Sequence, residues 1–174
     1  KLVSKGVAFV PQTNNVFPSL TIEENLMTGS YTRKDKAEIA RNLEKVYTYF
    51  PRLKTRRTSQ AAYTSGGEQQ MCAIGRALMS NPDLVLFDEL SLGLAPIVIK
   101  DIYAQLPKIT GQGMSAILVE QDVTRALNAA NDMPLAQWFQ LNARASCREL
   151  FIYVGSVLAS IAITADGQAQ GQRL

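Results

Sequence analysis

An uninterrupted apolar run followed by two carboxylates constrains the fold more than any other feature of this sequence. Leu84-Val85-Leu86-Phe87 is preceded by the turn residues Asn81-Pro82-Asp83 and followed by Asp88-Glu89. Apolar runs of this length between turn residues are typical of central strands that are buried on both faces. The run therefore predicts a strand in an open sheet, with both carboxylates at its C-terminal end, where such sheets bind their ligands.

Two further apolar runs alternate with segments of helical character. Gly6 to Val10, closed by Pro11, and Ser115 to Val119 predict buried strands. Helices are predicted from a capping box at Thr21 to Gly29, along the amphipathic stretch 34–50, from Ser65 to Asn81, from Pro96 to Ile109, and over 123–130. The stretch 51–63 is polar and basic, without a helical prediction. This alternation predicts an α/β domain with a mainly parallel sheet.

Composition excludes several classes of function. The net charge of +3 arises from 18 basic and 15 acidic residues that are mixed along the chain, so no nucleic-acid partner is expected. The chain has two distant cysteines and no histidine, which disfavours a zinc site and a disulfide framework and favours a reducing compartment. No signal peptide is predicted. The apolar stretch 151–164 is shorter than the roughly 20 residues of a membrane-spanning helix, so it predicts a strand or a buried helix.

The segment Thr64-Ser65-Gly66-Gly67-Glu68-Gln69-Gln70 lies at the predicted start of a helix. Two glycines allow an anion to approach the backbone, the serine hydroxyl can donate to it, and a helix N-terminus offers free N–H groups. This combination suits a phosphate. An ordinary N-cap preceded by a glycine turn has the same residues, and this segment alone does not separate the two interpretations.

Asp88 and Glu89 suggest metal and water chemistry at the end of the central strand. One carboxylate can hold Mg²⁺, and its neighbour can orient and polarise an attacking water molecule. Acidic residues after a strand are common, so this signal is weak when taken alone.

Together the two segments resemble the signature and the Walker B strand of the ABC ATPases. The resemblance covers roughly residues 6–130 and implies roles for further residues. Gln12 resembles the Q-loop glutamine that contacts Mg²⁺, Ser91-Leu92-Gly93-Leu94 occupies the D-loop position, and Gln121 stands at the switch position. The implied fold is a partial ABC-type P-loop NTPase domain over residues 1–130, with an inserted helical subdomain at about 21–80. Residues 131–174 form a divergent tail in which the family's strand, glycine turn and strand are not recognisable.

Three stretches narrow the resemblance to importers of branched-chain amino acids. They are Val10 to Thr21, Ser91 to Pro96, and Val119-Glu120-Gln121. The resemblance implies an ATP-hydrolysing subunit on the cytoplasmic side of the membrane, bound to transmembrane permease subunits. Amide and urea importers have similar ATPases and stay an alternative, as does a catalytically dead remnant that keeps only interaction surfaces. Chromosome and repair ATPases carry long coiled coils between the Q-loop and the signature. In this chain only about fifty residues separate Gln12 from Ser65, which disfavours that class.

The resemblance also implies that ATP and Mg²⁺ lie between two ATPase subunits arranged head to tail. The ATP held by the partner would be contacted by the signature, and the subunit's own ATP by the base and the switch residue. The resemblance implies ATP-binding roles for Gln12 and for the signature residues Ser65, Gly66, Gly67 and Glu68. It implies catalytic roles for Glu89, as the base, and for Gln121, as the switch residue. Asp88 and Gln12 are the implied ligands of Mg²⁺.

Two departures from the family pattern are visible. No Gly-x-x-x-x-Gly-Lys-Ser/Thr segment occurs in the sequence, and such a loop cradles the phosphates of bound nucleotide. We therefore expect the chain to begin after that loop and, when isolated, neither to bind ATP tightly nor to hydrolyse it. Leu90 replaces the proline that usually follows the two carboxylates, and we expect it to change the local turn.

Overall fold

Three parallel strands form the centre of the fold. A computed structural model of the protein describes residues 2–13, 15–111 and 113–119, together with the backbone of 149–153 and 158–162. The strands are β1 (Val7–Val10), β2 (Leu84–Asp88) and β3 (Ser115–Val119), in the order β1-β2-β3. The parallel sheet is therefore confirmed. The predicted helix over 123–130 and Gln121 lie outside the described residues.

The register of the sheet brings the carboxyl ends of β1 and β2 together. Val10 pairs with Phe87, and Phe87 pairs with Leu118. Alternate residues of all three strands are buried on one face, as the period of two requires, whereas the residues between them are partly or fully exposed. Within the described residues, the predicted burial on both faces is therefore not found. The buried residues form one wall of the hydrophobic core, and they are Ala8, Val10, Val85, Phe87, Ala116 and Leu118.

The region between β1 and β2 is helical and is built around its last helix. In chain order the helices are α1 (Ile22–Thr28), α2 (Lys36–Tyr49), α3 (Pro51–Thr55) and α4 (Gly66–Leu78). Thr21 and Glu24 form the predicted capping box of α1. Gly75 lets α1 and α2 pack closely on α4, because a Cβ at this position would lie 2.7 Å from side-chain atoms of Leu26 and Val46.

Two helical predictions differ from the structure. The polar stretch after α2 contains α3 and a 3₁₀ turn at Ala61–Tyr63. The single helix predicted from Pro96 to Ile109 is wrong, because α5 (Pro96–Tyr103) and α6 (Leu106–Thr110) are separate. Pro107 explains the break: proline has no N–H to donate and is tolerated only in the first turn of a helix, so a new helix begins beside it.

The C-terminal stretch contains two antiparallel strands. They are β4 (Glu149–Tyr153) and β5 (Leu158–Ala162), and Phe151 pairs with Ser160. The strand interpretation of the apolar stretch is thus confirmed where residues are described, and a strand pair exists where the sequence shows no recognisable family pattern. Within the described part of the chain, every helix is too short or too polar to span a membrane.

Candidate functional site

Gln12 and Glu89 meet at the C-terminal edge of the sheet. Gln12 follows β1 by two residues, Asp88 ends β2, and Glu89 comes next. Because β1 and β2 are parallel neighbours, residues that are 77 apart in sequence come into contact, and Gln12 Nε2 donates a hydrogen bond to Glu89 Oε2. Both side chains are partly buried. The structure therefore places two sequence-predicted site residues in direct contact.

Glu89 has an unusual backbone conformation. Its φ angle is +46°, in the left-handed region that non-glycine residues rarely adopt, at a cost of about 1–3 kcal/mol. Its backbone N–H donates to the carbonyl of Val119 at 2.9 Å, which ties the turn to the end of β3. The next side chain, Leu90, is 1% exposed in the core. The turn after β2 is thus anchored on both sides, and strain of this kind is common at functional sites.

The N-terminus of α4 carries the signature segment. Ser65 caps the helix: its Oγ accepts from the Glu68 N–H at 3.3 Å, while Glu68 Oε2 accepts from the Ser65 N–H at 2.8 Å. The first helical backbone bond runs from Gln69 N to Ser65 O, so the N–H groups of Gly66 and Gly67 precede the helical ladder. The N-cap interpretation is therefore confirmed, and the geometry of a helix N-terminus that could bind an anion is present as well.

The two glycines of the signature segment have different surroundings. A Cβ on Gly67 would lie 2.4 Å from Val98 Cγ1 of α5, whereas a Cβ on Gly66 would lie 3.6 Å from Leu94 Cδ2. Gly67 is buried and Gly66 is exposed. Close packing of α4 against α5 thus explains Gly67, while only Gly66 leaves an open approach for a ligand.

Glu68 carries the negative charge of this capping box. Burial opposes its ionisation, but hydrogen bonds from the backbone and hydroxyl of Ser65, together with Arg56, hold its pKa below the usual value. Arg56 Nε lies 3.7 Å from Glu68 Oε1. The carboxylate is therefore directed back to the helix cap and toward this arginine.

Asn15 and Gln70 form a contact that sequence reasoning missed. Asn15 Nδ2 donates to Gln70 Oε1 and lies 3.5 Å from the backbone oxygen of Gln12. Gln70 is 5% exposed on α4. An amide beside Met71 and Ile74 on an otherwise apolar helix face was the available signal, because buried amides need partners.

The donor set fits Mg²⁺ in part. Magnesium in nucleotide sites is usually held by one or two carboxylates with the remaining positions taken by phosphates and water. Asp88 and the amide oxygen of Gln12 stand at the same sheet edge and supply such oxygens. In residues 2–13, 15–111 and 113–119, no cluster of three or more His, Cys, Asp or Glu side chains could hold a metal ion. The protein oxygens would therefore complement phosphate oxygens rather than form a complete cage.

Comparisons with known proteins identify the family. The profile of the ABC transporter family matches residues 1–91. The chain belongs to the ABC transporter ATP-binding family. The branched-chain amino acid transport ATP-binding protein BraG of Pseudomonas aeruginosa is 48% identical over 131 residues, covering 75% of this chain and 55% of BraG. The probable branched-chain amino acid transport ATP-binding protein LivF of Archaeoglobus fulgidus is 36% identical over 128 residues, covering 73% of this chain and 54% of LivF.

Solved ABC cassettes share the fold of this ABC-family chain. An ATP-binding cassette of an ABC transporter in its ADP conformation aligns with a TM-score of 0.64 and 22% identity, over 92% of this chain and 61% of the cassette. A nucleotide-free cassette aligns with a TM-score of 0.63. The partial P-loop NTPase fold is thereby confirmed. The chain spans about half the length of the curated relatives it matches.

Proposed function

We propose that this chain is part of an ATP-hydrolysing subunit that energises an ABC importer of branched-chain amino acids. The contact between Gln12 and Glu89 at the sheet edge carries the proposal, because it joins the two residues that the family pattern assigns to nucleotide chemistry. The names of BraG and LivF support the branched-chain class of solute. The proposed subunit works on the cytoplasmic side of the membrane, bound there by permease subunits.

Glu89 is the general base in this proposal. Its carboxylate accepts a proton from the water molecule that attacks the γ-phosphate, and its anchored left-handed turn fixes the direction in which it points. Gln12 holds one carboxylate oxygen and so orients the other. Gln121 contacts the same γ-phosphate as the switch residue.

Asp88 and the amide oxygen of Gln12 would hold Mg²⁺ in the intact site. The ion, when bound, neutralises charge on the phosphates during phosphoryl transfer. The chain's own contribution is to set two oxygen donors at the ends of neighbouring parallel strands.

The signature segment acts on the nucleotide of a second ATPase subunit placed head to tail. Ser65, Gly66, Gly67 and Glu68 line the N-terminus of α4, where free N–H groups and the helix dipole favour the γ-phosphate. For Ser65 to donate its hydroxyl to that phosphate, its present bond with Glu68 has to open. In this proposal residues 1–130 belong to the ATPase domain, 21–80 form its helical subdomain, and 131–174 are a distinct tail.

Uptake into vesicles tests the solute class. The subunit is produced from its complete reading frame and reconstituted with its permease subunits and a binding protein. We expect ATP-dependent uptake of leucine, isoleucine and valine, and none of urea or short amides. Uptake of urea or amides alone would support the alternative importer class, and absence of both uptake and ATP turnover would support the dead remnant.

A further inference from the structure

A series of contacts joins α4 to Glu89: two are between side chains, and the middle one runs from a side chain to the backbone of Gln12. Gln70 accepts from Asn15 Nδ2, the same nitrogen reaches the Gln12 backbone oxygen at 3.5 Å, and Gln12 Nε2 donates to Glu89. The two long steps connect residues 55 and 77 apart in sequence. The helix that carries the signature segment is therefore linked to the proposed general base through two amide side chains.

Burial of the Gln70 side chain carries a cost in folding free energy. Gln70 is 5% exposed, and a buried amide costs free energy unless its donor and acceptor are both bonded. In the part of the chain that the structure describes, Gln70 Nε2 and Asn15 Oδ1 have no hydrogen-bond partner. One is a donor and the other an acceptor, so the two groups are chemically complementary. Packing alone would favour an apolar side chain at this position.

The position of Gln70 on α4 couples it to the signature segment. It lies three and four residues after Gly67 and Gly66, on neighbouring positions of the helix surface. Under the proposed function, the N-terminus of α4 serves the nucleotide held by the partner subunit, whereas Gln12 and Glu89 serve the subunit's own nucleotide. The hydrogen-bond series therefore spans from one composite site to the other within one chain.

We propose that Gln70 is a positioning residue that acts through Asn15 to set Gln12 against Glu89, so that displacement of α4 at one nucleotide site alters the base at the other. The effect on catalysis rests on the proposed function, in which Glu89 is the base. The mechanical part of the inference, which is that Gln70 controls the position of Gln12, does not rest on it.

The loop between β1 and α1 is held by a second set of contacts at its far end, around Phe17. The Phe17 N–H donates to Asn25 Oδ1 at 2.7 Å, Asn25 Nδ2 donates back to the Phe17 carbonyl at 3.0 Å, and the Arg76 guanidinium lies 5.0 Å from the Phe17 ring centre. We therefore expect loss of the Gln70 amide to affect Asn15, Gln12 and, through Gln12, Glu89, while the contacts of Phe17 stay in place.

The mechanical part is tested by NMR of the Gln12 side-chain amide in this chain. Gln70→Met keeps the size and helical preference of the residue but removes its amide. We expect the Gln12 Nε2 signal to move toward its position in Glu89→Ala, where its acceptor is gone. Asn15→Ala should produce the same shift, and the double variant no more than either, because the residues act in series.

Asn42 supplies a matched control. Its amide is buried in a similar way and reaches the Met79 carbonyl at 3.5 Å, at the opposite end of α4. We expect Asn42→Leu to leave the Gln12 signal in place. An unmoved signal in Gln70→Met, or an equal shift in Asn42→Leu, would overturn the proposal.

Kinetics of the reconstituted transporter test the catalytic part. We expect Gln70→Met to lower the kcat for ATP about fivefold, the worth of one hydrogen bond, with KM unchanged and no further loss when Asn15→Ala is added. Normal kcat in Gln70→Met, with an active wild type, would refute the positioning role and leave the function intact. Absence of turnover in the wild type would refute the function, and the NMR result would then decide the link alone.

Discussion

At the scale of residues, the two glycines of the signature segment separate packing from ligand approach. A Cβ on Gly67 would clash with Val98, whereas a Cβ on Gly66 would make only an ordinary contact with Leu94. A shared sequence motif therefore contains one glycine required by helix packing and one that stays accessible. The family resemblance assigned both glycines to the phosphate, and the residues alone left the two interpretations open.

Alanine substitutions distinguish these two glycines. We expect Gly67→Ala to lower the free energy of unfolding by about 1–3 kcal/mol, because the new methyl group forces α4 away from α5. Gly66→Ala should cause no loss, since alanine favours the helical conformation. Chemical denaturation of the chain measures both. Equal stability of the two variants would contradict this division of roles.

At the scale of elements, the capping box of α4 makes its stability depend on pH. The pKa of Glu68 is lowered in the folded protein from an ordinary value of 4.5. A lowered pKa means that the charged form stabilises the fold above pH 4.5, and that this contribution is lost as the pH falls through the lower folded-state pKa. Acid should therefore weaken the cap at the start of α4.

Glu68→Gln tests this dependence, because glutamine can close a capping box without a charge. We expect the wild type to exceed this variant in free energy of unfolding by about 0.3–1 kcal/mol at pH 6, and to lose that advantage progressively as the pH falls below 4.5. Urea denaturation at a series of pH values on both sides of 4.5 gives the difference. An advantage that does not decline below pH 4.5 would show that the Glu68 charge does not stabilise the cap.

Local signals explain which elements were predictable. The three strands and the box at Thr21 follow from short runs whose residues act on near neighbours. The break at Pro107 was predictable in principle, but the apolar period across it favoured one helix. Parallel pairing of β1 and β2 explains why Gln12 and Glu89 share a sheet edge. The neighbours of Gln70 on α4 indicate that its amide is buried, but no sequence pattern reveals that its partner is Asn15, 55 residues away.

At the scale of the whole molecule, the proposed function assigns two separate half-sites to this chain. The edge of the sheet presents Gln12, Asp88 and Glu89, and the N-terminus of α4 presents the signature segment. The proposed function needs both halves completed by other chain segments that cradle phosphate. The central claim is that Glu89 is the base of the half built on the sheet.

ATP turnover of the reconstituted transporter tests that claim most directly. Glu89→Gln keeps the size of the side chain and removes its basicity, whereas the control Asp83→Asn makes the same change just before the opposite end of β2. We expect Glu89→Gln to lower turnover about 100-fold or more, while Asp83→Asn retains the wild-type rate. The isolated 174-residue chain should show no turnover. Equal turnover in Glu89→Gln and Asp83→Asn would contradict the account.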